Sequence, residues 1–194
     1  MHKIFNNINN APGKIRIIGG KWKRRNISVI KHNGLRPTTS IARETLFNWL
    51  TNKINQARCL DCFAGTGVLG LESLSRNASQ VTFLEINHKV AKQLRKNINT
   101  LCATQSELIQ INALNWLKKT GEPYDIVFID PPFHSDLLQK TFLLLEKNNW
   151  LSQEAFIYVE TQSTYYSLKV PSVWNLYKEK KTSNIAYRLY FRHP

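Results

Sequence analysis

The pattern of apolar and polar positions changes near residue 57. Beyond it, short apolar runs alternate with amphipathic stretches. The runs are 58–63 (RCLDCF), 81–85 (VTFLE), 107–111 (ELIQI), 125–129 (DIVFI) and 155–159 (AFIYV). Apolar runs this short, spaced by helical patterns, predict buried strands. The spacing predicts helices near 68–76, 87–100, 113–119 and 136–147. Such alternation implies an α/β fold: a mostly parallel sheet with helices on both faces. The end of the chain differs. Segments 165–170, 174–180 and 185–191 predict strands without long helices between them, closing in an antiparallel hairpin.

Upstream of residue 57 the elements are shorter. Residues 1–13 are rich in Asn and predict a flexible end. Residues 14–19 and 26–30 predict two strands, with Gly19-Gly20 and Lys21–Asn26 turning a basic hairpin. Gly34 and Pro37 mark a loop. Thr38, Thr39 or Ser40 then caps a helix over about 40–52, with Ile41, Thr45, Leu46, Trp49 and Leu50 on one face. The division expected is a loose end (1–13), a basic extension (14–52) and a main domain (53–194).

Composition narrows the class. The chain has 194 residues, 42% hydrophobic and 21% charged, which suits one soluble domain with a small extension. No apolar run nears the roughly 20 residues that span a bilayer. No secretory-type stretch opens the chain, so a cytoplasmic protein with no membrane contact is expected.

Charge is unevenly placed. The formal net charge is +14, and the first acidic residue is Glu44. Ten basic residues precede it: Lys3, Lys14, Arg16, Lys21, Lys23, Arg24, Arg25, Lys31, Arg36 and Arg43. That concentration marks a surface for a polyanion. Ile15, Ile17, Ile18, Trp22, Ile27, Val29 and Ile30 are interleaved with these charges, which argues against a disordered tail. Cys59 and Cys62 form a C-x-x-C pair, but residues three apart on a strand point to opposite faces. No second ligand pair completes a zinc site, so no metal is expected.

The stretch Asp61-Cys62-Phe63-Ala64-Gly65-Thr66-Gly67-Val68-Leu69-Gly70 follows the first strand of the main domain and contains G-x-G-x-x-G. Glycines there allow a tight turn and close approach of backbone to a ligand. Glu85 follows Gly65 by 20 residues, where a carboxylate binds ribose hydroxyls in nucleoside-binding folds. A dinucleotide would set its anionic pyrophosphate on this loop, beside Asp61. S-adenosylmethionine instead brings an ammonium and a sulfonium, which a carboxylate favours. The expected cofactor site therefore comprises Asp61, Phe63, Ala64, Gly65, Thr66, Gly67, Glu85 and Ile86, with Asn112 and Ala113 at the end of the third strand. Asn112 either contacts adenine or caps the following helix.

Asp130-Pro131-Pro132-Phe133 leaves the strand DIVFI at the same edge. Two prolines end the strand and stiffen the loop. An exocyclic base amine is a weak nucleophile because its lone pair is delocalised. The Asp130 carboxylate and the Pro131 carbonyl can accept its two hydrogens and localise that pair. Phe133 can stack on the extruded base, worth about 1–3 kcal/mol.

These residues resemble a known family. Asp/Asn-Pro-Pro-aromatic after the fourth strand is the signature of amino-directed nucleic-acid methyltransferases. The chain as a whole resembles the RsmD family of 16S ribosomal RNA (guanine-N2)-methyltransferases. The match runs through Arg16–Lys21, Arg36-Pro37-Thr38, Arg43–Leu50, Asp61–Arg76 and Phe128–Phe133. It implies a Rossmann-like class I methyltransferase with a seven-stranded, mostly parallel sheet and a C-terminal antiparallel strand. It implies S-adenosyl-L-methionine as cofactor, Glu85 on ribose and Asp130 on the guanine amine. The implied partner is 16S ribosomal RNA or the assembling small subunit, with ribosomal proteins in reach, met by a monomer. Arg16, Lys21, Lys23, Arg24 and Arg25 are assigned to RNA. Arg36, Thr38 and Arg43 are assigned either to RNA or to ordering the helix against the cofactor loop. Asn77 stands where the family often has Gly, and Asn112 where an acidic residue is common. The alternatives are a DNA or other RNA amino-methyltransferase acting on adenine or cytosine, an NAD-dependent oxidoreductase, and a non-enzymatic RNA-binding module.

Overall fold

A computed structural model describes residues 13–30, 38–132, 135–164 and 168–194. Two strands, β1 (Gly13–Arg16) and β2 (Asn26–Val29), pair antiparallel, with Ile15 opposite Ile27. A 3-10 turn at Gly20–Trp22 joins them. The first strand is shorter than the pattern predicts because Ile18 leaves the ladder and donates its N–H to Glu72, 2.6 Å away. Gly20 has φ +71°, and a Cβ there would lie 1.8 Å from the Ser75 carbonyl oxygen. Only glycine lets the turn press this closely on the neighbouring helix.

Helix α1 (Ser40–Trp49) follows, with Thr39 as cap, its hydroxyl accepting from Ala42 N at 3.2 Å. It ends earlier than expected, and its inner face differs. Ala42, Arg43, Leu46, Phe47 and Leu50 are buried, whereas Ile41 is 64% exposed. The stripe is rotated because Phe47 meets Phe128 and Arg43 meets Glu72, a buried charge that an apolar periodicity does not count.

The main domain runs β3 (Arg58–Asp61), α2 (Val68–Ser75), β4 (Gln80–Glu85), α3 (His88–Leu101), β5 (Ser106–Gln110), α4 (Ala113–Leu117), β6 (Tyr124–Ile129), α5 (Ser135–Lys147), β7 (Leu151–Gln162), β8 (Trp174–Lys181) and β9 (Ile185–Arg192). Seven strands form one sheet in the order β5-β4-β3-β6-β7-β9-β8. β3, β4, β5, β6 and β7 are mutually parallel, and β9 runs antiparallel between β7 and β8. This is the expected Rossmann-like sheet with its reversed C-terminal strand.

One prediction fails. No strand forms over 168–170, and 165–167 lie outside the described residues. Leu168 and Val170 pack instead against the cluster under α5, and Gln139 donates to the Lys169 carbonyl at 2.8 Å. Apolar alternation there serves a helix rather than a sheet edge.

Two apolar clusters cover the sheet. One holds Leu46, Phe47, Leu71, Leu74, Phe83, Leu94, Phe128 and Tyr158. It also holds Ile17, Trp22 and Ile27, so the hairpin shares a core with the sheet. The other lies under α4 and α5 and holds Trp116, Phe142, Trp150 and Val159. Cys59 belongs to the first and Cys62 to the second, as the opposite-face argument requires. Among the described residues no cluster of three metal-ligating side chains forms, and no helix is long and apolar enough to cross a membrane.

Ser75 and Asn97 are among the polar anchors of the hairpin. Ser75 accepts from Trp22 N at 2.9 Å and donates to the Gly19 carbonyl. Asn97 on α3 accepts from Ser28 N at 3.1 Å and donates to Ser28 O at 2.9 Å. Its amide thus extends the edge of β2 as another strand would.

Candidate active site

The strand order reverses direction at β3, between β4 and β6. In open α/β sheets, ligands bind outside the carboxyl ends of the strands at such a switch point. Asp61 closes β3, Glu85 closes β4, Asn112 follows β5 and Asp130 follows β6. Residues spread over 70 positions thereby meet along one edge.

The loop after β3 is built by its glycines. Gly65 and Gly67 have φ of +50° and +73°, and Gly67 caps α2. A Cβ on Gly67 would lie 2.2 Å from Leu94, and one on Gly70 would lie 2.2 Å from Phe83. The first two glycines therefore shape the turn, while the third lets α2 sit directly on β4. Asp61 Oδ2 accepts from Gly70 N across the loop at 3.3 Å. Burial pushes the Asp61 carboxyl up to about 7, with Glu85 adding repulsion against the Gly70 and Phe63 amides. An incoming cation would favour its ionised form.

Glu85 is half-buried. Its Oε2 accepts from Gly65 N at 2.9 Å and its Oε1 from Asn87 N at 2.6 Å. Each carboxylate oxygen offers two acceptor sites, so the clamped side chain retains capacity for a ribose diol. Ile86, next along, is 63% exposed and forms an apolar ledge beside it. Phe63 is half-buried, and Ala64 and Thr66 are buried in the loop. Asn112 caps α4, its oxygen accepting from Asn115 N at 3.2 Å, with Ala113 buried behind it. Asn112 therefore serves as a helix cap. The edge thus combines a diol acceptor, an apolar ledge and a buried acid. That donor set suits a nucleoside carrying positive charge better than a pyrophosphate.

Asp130 is half-buried, Pro131 buried and Pro132 exposed; Phe133 lies outside the described residues. The Thr38 hydroxyl reaches Asp130 Oδ2 at 3.4 Å, so the segment leading into α1 touches the loop after β6. Arg36 lies outside the described residues.

Arg43 does not face solvent. It is 3% exposed and donates to Glu72 Oε1 at 2.8 Å and to the Arg16 carbonyl at 2.9 Å. Glu72 also accepts from Ile18 N, so one carboxylate ties β1, α1 and α2 together. Sequence reading missed Glu72, although it is the single charge in the apolar helix VLGLESLS. By contrast, Arg16, Lys21, Lys23, Arg24 and Arg25 are exposed on the hairpin. Arg25 also reaches the Thr100 carbonyl at 2.9 Å, and Lys21 sits 4.8 Å over the Trp22 ring. An open cleft of about 540 Å³ lies between hairpin and α1, bordered by Lys14, Arg16, Thr38, Ser40 and Glu44. Asn77, at φ +67°, adopts the left-handed conformation that Gly usually supplies.

Known proteins resemble this chain in sequence and fold. The ribosomal RNA small subunit methyltransferase D of Escherichia coli K12 is 50% identical over 182 residues, covering 94% of this chain and 92% of that protein. The protein of the same name from Haemophilus influenzae is 50% identical over 185 residues, covering 93% and 95%. The solved Escherichia coli protein yhhF superposes with a TM-score of 0.89 at 48% identity, covering 93% of this chain and 99% of that one. An RNA methyltransferase from Salinibacter ruber, solved with S-adenosyl-L-homocysteine, shares the fold at a TM-score of 0.63 and 13% identity, covering 81% and 94%. A family model described as Conserved hypothetical protein 95 matches residues 15–191. The chain belongs to that family.

Proposed function

We propose that the protein is a cytoplasmic, monomeric enzyme that moves a methyl group from S-adenosyl-L-methionine to the N2 amine of a guanine in small-subunit ribosomal RNA. The observation that carries this reading is the convergence of Asp61, Glu85 and Asp130 on one sheet edge in a chain half identical to small-subunit rRNA methyltransferases.

When bound, the cofactor supplies a methyl group already activated on a sulfonium. The protein must therefore align reactants and shape the nucleophile. Glu85 would hold the ribose end, Ile86 would flank the adenine, and ionised Asp61 would face the cationic amino-acid end. Asp130 and the Pro131 carbonyl accept the two amine hydrogens, which draws the nitrogen towards tetrahedral geometry. Its lone pair would then form the new N–C bond as the donor's C–S bond broke, and Asp130 would accept the proton the nitrogen sheds. Thr38 steadies Asp130 during this sequence, and Phe133 stacks on the base. Extruding the base costs a few kcal/mol, less in an unpaired loop.

RNA is held by the exposed hairpin cations Arg16, Lys21, Lys23, Arg24 and Arg25. The buried Arg43 orders the extension rather than touching phosphate. Ribosomal proteins of the assembling subunit lie within the hairpin's reach.

The test of the reacting role is Asp130→Ala. It should lose methyl transfer by a factor of roughly a hundred or more while keeping cofactor and RNA affinity. Near-normal turnover would remove Asp130 from the chemistry.

A further inference from the structure

Glu160 is a buried carboxylate that the chemistry above leaves unused. It is 7% exposed on β7, and its Oε2 accepts from the Tyr158 hydroxyl at 3.1 Å. Its position follows from the sheet register. Ile129, the last residue of β6, pairs with Val159 on β7, so Asp130 leaves β6 beside the point where Glu160 continues β7. Two residues earlier, Phe128 and Tyr158 pair and touch edge to face, with ring centroids 6.4 Å apart. Alternation along β7 returns Glu160 to the face of Tyr158. Neighbouring strands lie about 4.8 Å apart. Tyr158 feels both carboxylates: burial raises its phenol, and the charges of Glu160 and Asp130 raise it further. Thr38, which reaches Asp130, approaches from α1 on this side of the sheet.

Two neighbouring carboxylates match a ligand edge that presents adjacent donors. An amine alone has two hydrogens, which Asp130 and Pro131 take. Guanine is the base whose exocyclic amine stands beside a ring N–H. In adenine and cytosine the ring nitrogen next to the amine is an acceptor, and a carboxylate there repels it.

Resting on the guanine reading above, we infer that Glu160 is a specificity-determining residue whose carboxylate accepts the N1–H of the target guanine while Asp130 holds the N2 amine. Tyr158 positions Glu160 by donating to its second oxygen. A site built around a donor rejects analogues lacking it far more strongly than an apolar pocket does.

The experiment compares small-subunit rRNA fragments carrying either guanine or 2-aminopurine at the target. 2-Aminopurine keeps the 2-amino group but presents a lone pair at N1. The wild-type protein should favour guanine by roughly a hundredfold or more in kcat/KM. Glu160→Gln, whose amide can donate to that lone pair, should narrow the preference to under about tenfold, with cofactor affinity unchanged. Equal use of both RNAs by the wild type overturns the inference, whatever the folding of the variant. So does a variant that slows both substrates alike, the mark of a merely structural role. If neither RNA accepts a methyl group while adenine-containing substrates do, the guanine reading itself has failed.

Discussion

Arg43 on α1 and Glu72 on α2 meet at 2.8 Å in the interior, with side chains 4% and 0% exposed. The pair joins the basic extension to the helix that springs from the glycine loop. Removing Arg43 leaves the buried Glu72 with only the more distant Arg76, 3.7 Å away, as counter-charge. Arg43→Ala should therefore lower stability by about 3–5 kcal/mol in urea unfolding and weaken cofactor binding with it. A loss below about 1 kcal/mol would mean that Glu72 is hydrated rather than paired.

Asp61 makes cofactor binding depend on pH. Its folded value of about 7 lies above the usual 3.8, so burial favours the protonated form. The stability that this form gives the free protein is present at low pH and is lost as pH rises from about 4 through 7. A cationic ligand favours the ionised form instead. Affinity for S-adenosylmethionine should rise with pH up to about 7 and then level. Titration calorimetry near pH 6, in buffers of different ionisation enthalpy, should detect proton release. Asp61→Asn should bind more weakly and release none. Equal release from both proteins would assign the proton to another group.

The third glycine of the loop tests packing rather than ligand contact. A Cβ on Gly70 would lie 2.2 Å from the Phe83 ring. Gly70→Ala must separate α2 from β4 or move that ring, which overpacking data put at about 1–3 kcal/mol. Pairing it with Phe83→Leu should recover part of the loss in thermal unfolding. No recovery would place the strain elsewhere.

The hairpin cations should reveal themselves through salt. If Lys21, Lys23, Arg24 and Arg25 each contact a phosphate, replacing all four with Ala should flatten the slope of log affinity against log salt by about 3 to 4. An unchanged slope would remove them from the RNA interface.

Much of this was legible in the sequence. Strand–helix alternation located β3 to β7 and α2 to α5 because short apolar runs, most of them buried, are separated by amphipathic stretches of helical length. The glycine loop, Glu85 and Asp130 were readable because their chemistry is local to a strand end. What was hidden depended on contacts between distant segments. The rotated face of α1 exists because Arg43 finds Glu72, 29 positions away. Glu160 beside Asp130 is a product of strand register. Asn112 was ambiguous because one side chain suits both a cap and a base contact; its bond to Asn115 in this structure is the cap. The segment around Leu168 alternates like a strand yet packs on α5, since period alone does not name the partner.

The most direct test of the account is transfer of labelled methyl from S-adenosylmethionine to small-subunit rRNA and assembling particles lacking the modification, followed by nucleoside analysis. The account predicts N2-methylguanosine at a single site. Label on adenine or cytosine, or transfer to DNA rather than to rRNA, would contradict it.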